Sequence, residues 1–281
     1  MNAPDRTVIA SAWPAQRELV FIRASSLAEL FDCPARWEAK YILGMRGPRS
    51  AAAQLGTAVH AGTAVFDASR LPGGSPVSAD DAAGALVDAI HKPEEEVDWD
   101  DTAPNDVERI ALALHTKYCN DIAPRQVYRG VEVKCEKLEL PELGIALTGT
   151  TDRVRETPSG LGISDLKTGK TAVGADGKAN TQGHGTQLGV YELLAEHAMG
   201  LHITAPAQIV GMNTGKTPAA QRVATGEVPD ARAVLIGTEE QPGLLEHASR
   251  LIHSGAFYGN SKSWLCSEKY CPAHSTCRFK G

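Results

Sequence analysis

The tightest constraint in this chain is a pair of aspartates placed symmetrically about one turn. Asp152 lies in Gly149-Thr150-Thr151-Asp152-Arg153-Val154, and Asp165 in Ile163-Ser164-Asp165-Leu166-Lys167-Thr168-Gly169. Around Asp152 the residues alternate like a half-buried strand, with Ile145, Leu147, Gly149 and Thr151 on one parity. Pro fixes φ and Gly tolerates positive φ, so Pro158-Ser159-Gly160 predicts a turn. A hairpin folding about Pro158-Ser159 sets Asp152 opposite Asp165, where opposed Cβ atoms are about 5 Å apart on one face. Lys167, two residues further on, projects from that same face. Two carboxylates so close repel unless a cation lies between them, and carboxylate oxygens suit Mg²⁺ or Mn²⁺. Lys167 could then position or deprotonate a water, or offset charge on a phosphorane-like transition state. The same residues also fit a surface hairpin with exposed ion pairs of little energetic weight. The rest of the chain has to decide.

Size and charge narrow the choice. The chain has 281 residues, 42% of them hydrophobic, enough for one large domain or two small ones. A net charge of −6 argues against gripping nucleic acid by bulk electrostatics, though it leaves room for a local basic groove. No apolar run approaches the roughly 20 residues of a membrane span. Met1-Asn2-Ala3-Pro4-Asp5-Arg6 lacks a signal peptide's apolar core, so a cytoplasmic location is expected. Thiols stay reduced there, and the six cysteines read first as metal ligands or buried apolar residues.

Taken in order, residues 1–24 predict an irregular, Pro-interrupted arm before a single domain over 25–281. Ser25 or Ser26 with Glu29 predicts a capping box. Pro34 suits the first turn of a following helix, leaving Cys33 at the junction. A helix carries Leu55 to about Ala68, with His60 beside an apolar face, where histidines are commonly core or surface residues. Residues 70–105 give a weak signal, with an acidic run from Glu94 to Asp101 that reads as solvated surface. Helical spacing returns from Asn105 or Asp106 to Ile122. Val127 to Leu140 then alternates as a strand leading into the hairpin, a three-stranded meander in which Glu132 and Glu136 read as solvated although either can reach the carboxylate patch. The glycine-rich Thr168–Gly185 segment predicts a mobile loop. A helix over Thr186–Met199 puts Gln187 and Tyr191 on one face. Strands follow at Ala207–Met212 and Gln221–Val228, then a long helix from Asp230 to Ser254. The tail holds Cys266, Cys271 and Cys277, a metal-binding pattern whose fourth ligand is either His274, giving a Cys₃His zinc site, or Cys33, giving four thiolates for a [4Fe–4S] cluster or zinc.

Together, Cys33-Pro34, Leu55-Gly56-Thr57-Ala58-Val59-His60, Gly149 to Val154, Asp165-Leu166-Lys167-Thr168-Gly169, Gln187 with Tyr191, and the terminal cysteines resemble the RecB-like branch of the PD-(D/E)xK nucleases. The likeness is to its iron–sulfur members, such as the AddB-type nuclease domain and the CRISPR-associated exonucleases. It implies an α/β (α+β) restriction-endonuclease-like core, a central mixed sheet flanked by helices. It further implies His60, Asp152, Asp165 and the Leu166 carbonyl as ligands of Mg²⁺ or Mn²⁺, Lys167 as the catalytic lysine, and Gln187 and Tyr191 as the pair that orients the site and the DNA strand. Cys33, Cys266, Cys271 and Cys277 become ligands of a cluster joining the two ends of the domain. Four residues separate Cys266 from Cys271 where two are expected, and no Walker-type phosphate loop or helicase segment is present. The expected activity is metal-dependent hydrolysis of DNA, exonucleolytic on single strands or ends, in recombination, repair or CRISPR adaptation, with a recombination or repair protein as partner. Arg36, Lys40, Arg153 and Lys170 are the expected DNA-binding side chains. The alternative is a non-catalytic DNA-binding module with a structural metal site.

Overall fold

The structure is a computed structural model, and it describes residues 19–238 and 240–280. Its centre is a six-stranded mixed sheet built on the predicted hairpin. Strands β4 (Val127–Leu140), β5 (Ile145–Thr157) and β6 (Gly160–Gly169) form the expected antiparallel meander. The β5–β6 ladder runs from Thr157↔Gly160 to Arg153↔Ser164, so the turn is centred on Pro158-Ser159 as the local chemistry dictates. After Ser164 the two strands part. β6 continues beside β7 (Ala207–Asn213) in parallel, and β8 (Val223–Val228) closes the sheet antiparallel to β7. The other half of that β5 edge is taken by β1 (Val20–Arg23), parallel from Val20↔Ile145 to Arg23↔Thr148.

Helices cover both faces. On one side, α1 (Leu27–Asp32), α2 (Pro34–Tyr41), α6 (Gly185–Met199) and α7 (Leu244–Ser254) bury Leu30, Trp37, Leu188, Leu194 and Ala248 against Ile145, Leu147, Ile163 and Ile209. On the other, α3 (Ala51–Ser69), α4 (Ala79–His91) and α5 (Pro104–Lys117) pack Val59, Leu86 and Leu114 with Leu166, Val210 and Met212. Alternation along β6 and β7 feeds both cores, because successive strand residues face opposite sides. This is the α/β architecture that the resemblance implied. A small parallel pair, β2 (Arg49–Ser50) with β3 (Val97–Asp98), sits ahead of α3.

Several elements depart from expectation. The end of the predicted arm, residues 20–23, is strand β1; residues 1–18 lie outside the described residues. No capping box forms at α1: the Ser26 hydroxyl donates to the Arg23 carbonyl, and Glu29 instead pairs with Arg36 at 2.6 Å and Lys40 at 2.8 Å. Within the weak 70–105 region stands α4, capped by Ser78 accepting from the Asp81 N–H and burying Ala82, Leu86 and Ile90 four residues apart. The predicted Asp230–Ser254 helix shrinks to Leu244–Ser254. Asp230 adopts a left-handed φ of +50°, and the Leu244 and Leu245 N–H groups bond back to Val234 and Leu235, closing a loop before the helix begins.

The glycine-rich segment after β6 is tied down rather than loose. Asn213 accepts from the Val173 N–H and donates to its carbonyl, and Arg222 donates to the carbonyls of Val173 and Gly174. Gly211 lets this segment lie against β7, since a Cβ there would sit 2.2 Å from the Ala172 oxygen.

Candidate active site

The hairpin's charged residues converge where β5 and β6 separate. Leu166 has lost its ladder partner on β5, and its N–H donates instead to Asp152 Oδ2 at 2.8 Å. The aspartate side chain thus fills the gap that the parting strands open. Asp165 is almost wholly buried, and Lys167 Nζ lies 2.7 Å from its Oδ2 without hydrogen-bond alignment, leaving that oxygen with no hydrogen-bond donor among the described residues. Burial first and the Asp152 charge second push the Asp165 carboxyl up to about 6, against the pull of Lys167.

Lys167 also donates to Gln187 Oε1 at 3.0 Å, and Gln187 Nε2 donates to the Tyr191 hydroxyl at 2.9 Å. An ammonium can only donate, so the amide oxygen must face Lys167 and the amide nitrogen Tyr191. Tyr191 therefore keeps its own O–H free to donate elsewhere. Burial, then the charges of Asp165 and Asp152, raise its pKa and hold it protonated.

His60 arrives from α3 on the opposite face of the sheet. Gly56, one turn earlier, permits that approach, because a Cβ there would stand 2.9 Å from Thr168 Oγ1. His60 Nε2 lies 3.0 Å from the Leu166 carbonyl and Nδ1 3.5 Å from Asp152 Oδ2. The carbonyl accepts only, so Nε2 carries a proton and Nδ1 faces the carboxylate, an arrangement that calls for a proton or cation between them. Glu132 joins this group: single ligand atoms of His60, Glu132 and Asp152 all lie within 4.8 Å of one another. Partial burial, then the Asp152 charge, push the Glu132 carboxyl up. An open recess of about 490 Å³, lined by Gly56, Thr57, His60, Ala61, Ala64 and Glu132, leads to the group. Crowded, mutually repelling oxygen ligands, one of them buried without a donor, are the donor set that a hard divalent cation satisfies.

A family model described as the PD-(D/E)XK nuclease superfamily matches residues 23–278. The chain belongs to that superfamily. It is accordingly a nuclease, of a superfamily whose members hydrolyse phosphodiester bonds with divalent metal ions. No curated protein matches the chain. Among solved structures, one described as "Crystal structure of SSO0001" overlays with a TM-score of 0.40 at 12% identity, covering 98% of this chain and 95% of that one; so loose an overlay carries no argument.

The nuclease places its expected DNA-binding side chains unevenly. Lys170 is exposed at the end of β6. Arg36 and Lys40 are engaged with Glu29, and Arg36 Nε donates to the Tyr270 carbonyl. Arg153 does not face DNA at all. Fully buried, it donates to Asp67 Oδ2 at 2.7 Å, Glu132 Oε1 at 3.1 Å, Thr63 Oγ1 at 3.3 Å and the Asp152 carbonyl at 2.8 Å. Burial, the largest single effect, would lower its pKa; the charge and hydrogen bond of Asp67 together with Tyr118 and Asp152 more than reverse that.

Strand alternation gives Glu132 as a solvated residue within reach of the carboxylate patch, and both hold: it is exposed, and its carboxylate meets His60 and Asp152. Its φ of +48° is left-handed, rare for a residue other than Gly and strained by about 1–3 kcal/mol. At that twist the carboxylate stands beside His60 and Asp152 while the residue stays exposed to solvent. Glu132→Gln is expected to weaken Mn²⁺ binding by roughly 10- to 100-fold in calorimetry; unchanged affinity would remove Glu132 from the ion's surroundings.

At the far end of the fold, Cys33, Cys266, Cys271 and Cys277 line one cavity of about 300 Å³ together with His274. Burial raises the Cys271 thiol pKa, and Cys33 and Cys277 add to that rise. The buried His274 Nδ1 has no hydrogen-bond partner among the described residues. Cys119 and Cys135 are core residues, as expected.

Proposed function

We propose that this nuclease is a Mg²⁺- or Mn²⁺-dependent deoxyribonuclease, exonucleolytic on single-stranded DNA or DNA ends. One observation carries the reading: Asp152, Asp165, Lys167, His60, Glu132, Gln187 and Tyr191, drawn from strands and helices on both faces, meet at the gap between β5 and β6. His60, Asp152, Asp165 and the Leu166 carbonyl, with Glu132, would hold the divalent ion. When bound, that ion supplies Lewis-acid polarisation of the scissile phosphate. Lys167 is placed to donate to a phosphate oxygen as negative charge builds, and Gln187 keeps its ammonium from swinging onto Asp165 alone. The free O–H of Tyr191 serves as a second donor to the strand.

The four cysteines fit a [4Fe–4S] cluster, or zinc, tying α1 and α2 to the tail. A cytoplasmic nuclease acting with a recombination or repair protein, in recombination, repair or CRISPR adaptation, suits these parts. No helix among the described residues is long and apolar enough to cross a membrane.

The test is cleavage of end-labelled single-stranded DNA by anaerobically purified protein. Products are expected with Mn²⁺ and none after chelation with EDTA, with the labelled end reporting polarity. Protein that binds the strand but never cuts it overturns the catalytic reading in favour of a DNA-binding module. In the same preparation, Cys277→Ser is expected to lose metal by elemental analysis while His274→Ala retains it. Loss of metal on His274→Ala with retention in Cys33→Ser would assign a Cys₃His zinc site instead.

A further inference from the structure

Beyond the recess, the most unusual surface is at the tail. Trp264 is 75% exposed, the highest among the large hydrophobic side chains of the described residues, and Tyr270 beside it is 41% exposed. Their ring centroids are 5.3 Å apart at an interplanar angle of 67°, so each ring offers a face the other does not cover.

The segment is built to hold them there. Ser263 is buried; its hydroxyl donates to Asp32 Oδ2 at 2.6 Å, and its carbonyl and hydroxyl take the N–H groups of Cys266 and Leu265, fixing both neighbours of the Trp264–Leu265 turn. The Tyr270 N–H donates to the Ser267 carbonyl, and its own carbonyl accepts from Arg36. Two large rings fixed in water gain nothing for the fold.

The sequence of the segment that carries them is more basic than the chain as a whole. Between Gly255 and Lys280 stand four basic side chains, Lys262, Lys269, Arg278 and Lys280, and one acidic one, Glu268, in a protein of net charge −6. Lys262, Arg278 and Lys280 are exposed. A relay of contacts links the tail to the elements around the recess. Lys269 pairs with Asp100, just beyond β3; β3 pairs with β2; and Arg49 of β2 donates to Thr57, which lines the recess with His60.

We propose that Trp264 and Tyr270, with the basic side chains of the same segment, form a stacking platform for bases of a single-stranded DNA. Unpaired bases expose π-faces that duplex DNA hides, and aromatic rings among cations are the sequence-tolerant way to hold them. Trp and Tyr suit a protein interface as well, but lysine is depleted there, so the lysines of this segment favour a nucleic acid. The inference rests on the nuclease reading and names the strand type it takes.

The experiment compares wild-type protein, Trp264→Ala and Trp264→Phe with a fluorescent single-stranded oligonucleotide and the same sequence as a blunt duplex. Ca²⁺ replaces Mn²⁺ in the anisotropy measurement, and cleavage is followed separately with Mn²⁺. Trp264→Ala should weaken single-strand binding roughly 10-fold and raise KM without changing kcat, while Trp264→Phe restores both. Metal content and thermal melting, unchanged in both variants, exclude a folding defect. A double Lys262→Gln/Lys280→Gln variant should flatten the salt dependence of single-strand binding by about 1.4 units of log–log slope. Equal single-strand binding by wild type and Trp264→Ala overturns the platform, as does an equal loss on single strand and duplex. Wild-type cleavage with no Trp264 effect rejects only the platform; Trp264-dependent binding without any cleavage rejects only the nuclease chemistry.

Discussion

Lys167→Ala is expected to slow single-turnover cleavage of single-stranded DNA by roughly 10²- to 10⁴-fold. The ammonium is the cation at the junction of two partners, 2.7 Å from Asp165 and 3.0 Å from Gln187. Its loss removes a donor for the reacting phosphate and frees the Gln187 amide to rotate, so Tyr191 loses its fixed orientation as well. It also removes the larger of the two charges, Lys167 and His60, that oppose the combined effect of burial and Asp152 on Asp165. Mn²⁺ affinity should change by much less than the rate, since His60, Asp152 and Glu132 remain and loss of a neighbouring ammonium favours a proton and Mn²⁺ alike at Asp165. Parallel titrations of Mn²⁺ binding and cleavage separate the two effects. Full cleavage by the variant would sink the assignment of this hairpin as the catalytic centre.

Arg153→Ala is expected to destabilise the protein by about 3–5 kcal/mol, the usual consequence of removing one member of a buried ion pair. Asp67 would be left buried, with its Oδ2 bonded only to Tyr118, whose hydroxyl also meets Tyr128, and its Oδ1 already lacks a partner among the described residues. Denaturant unfolding monitored by circular dichroism measures the loss. The double change Arg153→Met with Asp67→Leu should recover part of it, because an apolar pair leaves no charge unmatched. Since Arg153 also holds Glu132 Oε1, the recovered protein should fold and still bind Mn²⁺ more weakly than wild type. A single variant as stable as wild type would show that the network carries little of the fold's stability.

How much of this could be read from the chain depends on how local the cause is. The opposition of Asp152 and Asp165 follows from the Pro158-Ser159 turn and strand alternation, and the ladder runs in that register up to Arg153↔Ser164. Gln187 and Tyr191 share a helix face through ordinary spacing. The cap of α4 was also present, as Ser78 three residues before Asp81, but it lay between a Pro/Gly loop and an acidic run that masked it. Glu132 was legible only in part, for a different reason: alternation gave its exposure and its reach toward the carboxylates, but a left-handed φ in a non-glycine strand residue has no signature in composition or period. Arg153 misled for a third. A basic residue beside a site reads as a phosphate contact unless its acidic partner is known, and Asp67 lies on another element far away in sequence. The Asp230–Ser254 misreading is a matter of breakers, with Gly237 and Pro242-Gly243 inside an otherwise apolar-spaced run.

The parting of β5 and β6 has a consequence for how durable the centre is between substrates. Asp152 Oδ2 is at once the acceptor that Leu166 N–H needs and an oxygen turned toward the cation group. On the proposed reading the same atom is both a rung of the sheet and a ligand oxygen, so release of an ion should leave the two strands where they stand. An asparagine there keeps an oxygen for the rung and gives up the charge; an alanine gives up both. Architecture and chemistry at this position are separable by a single atom, and the resting protein stays set for the next ion.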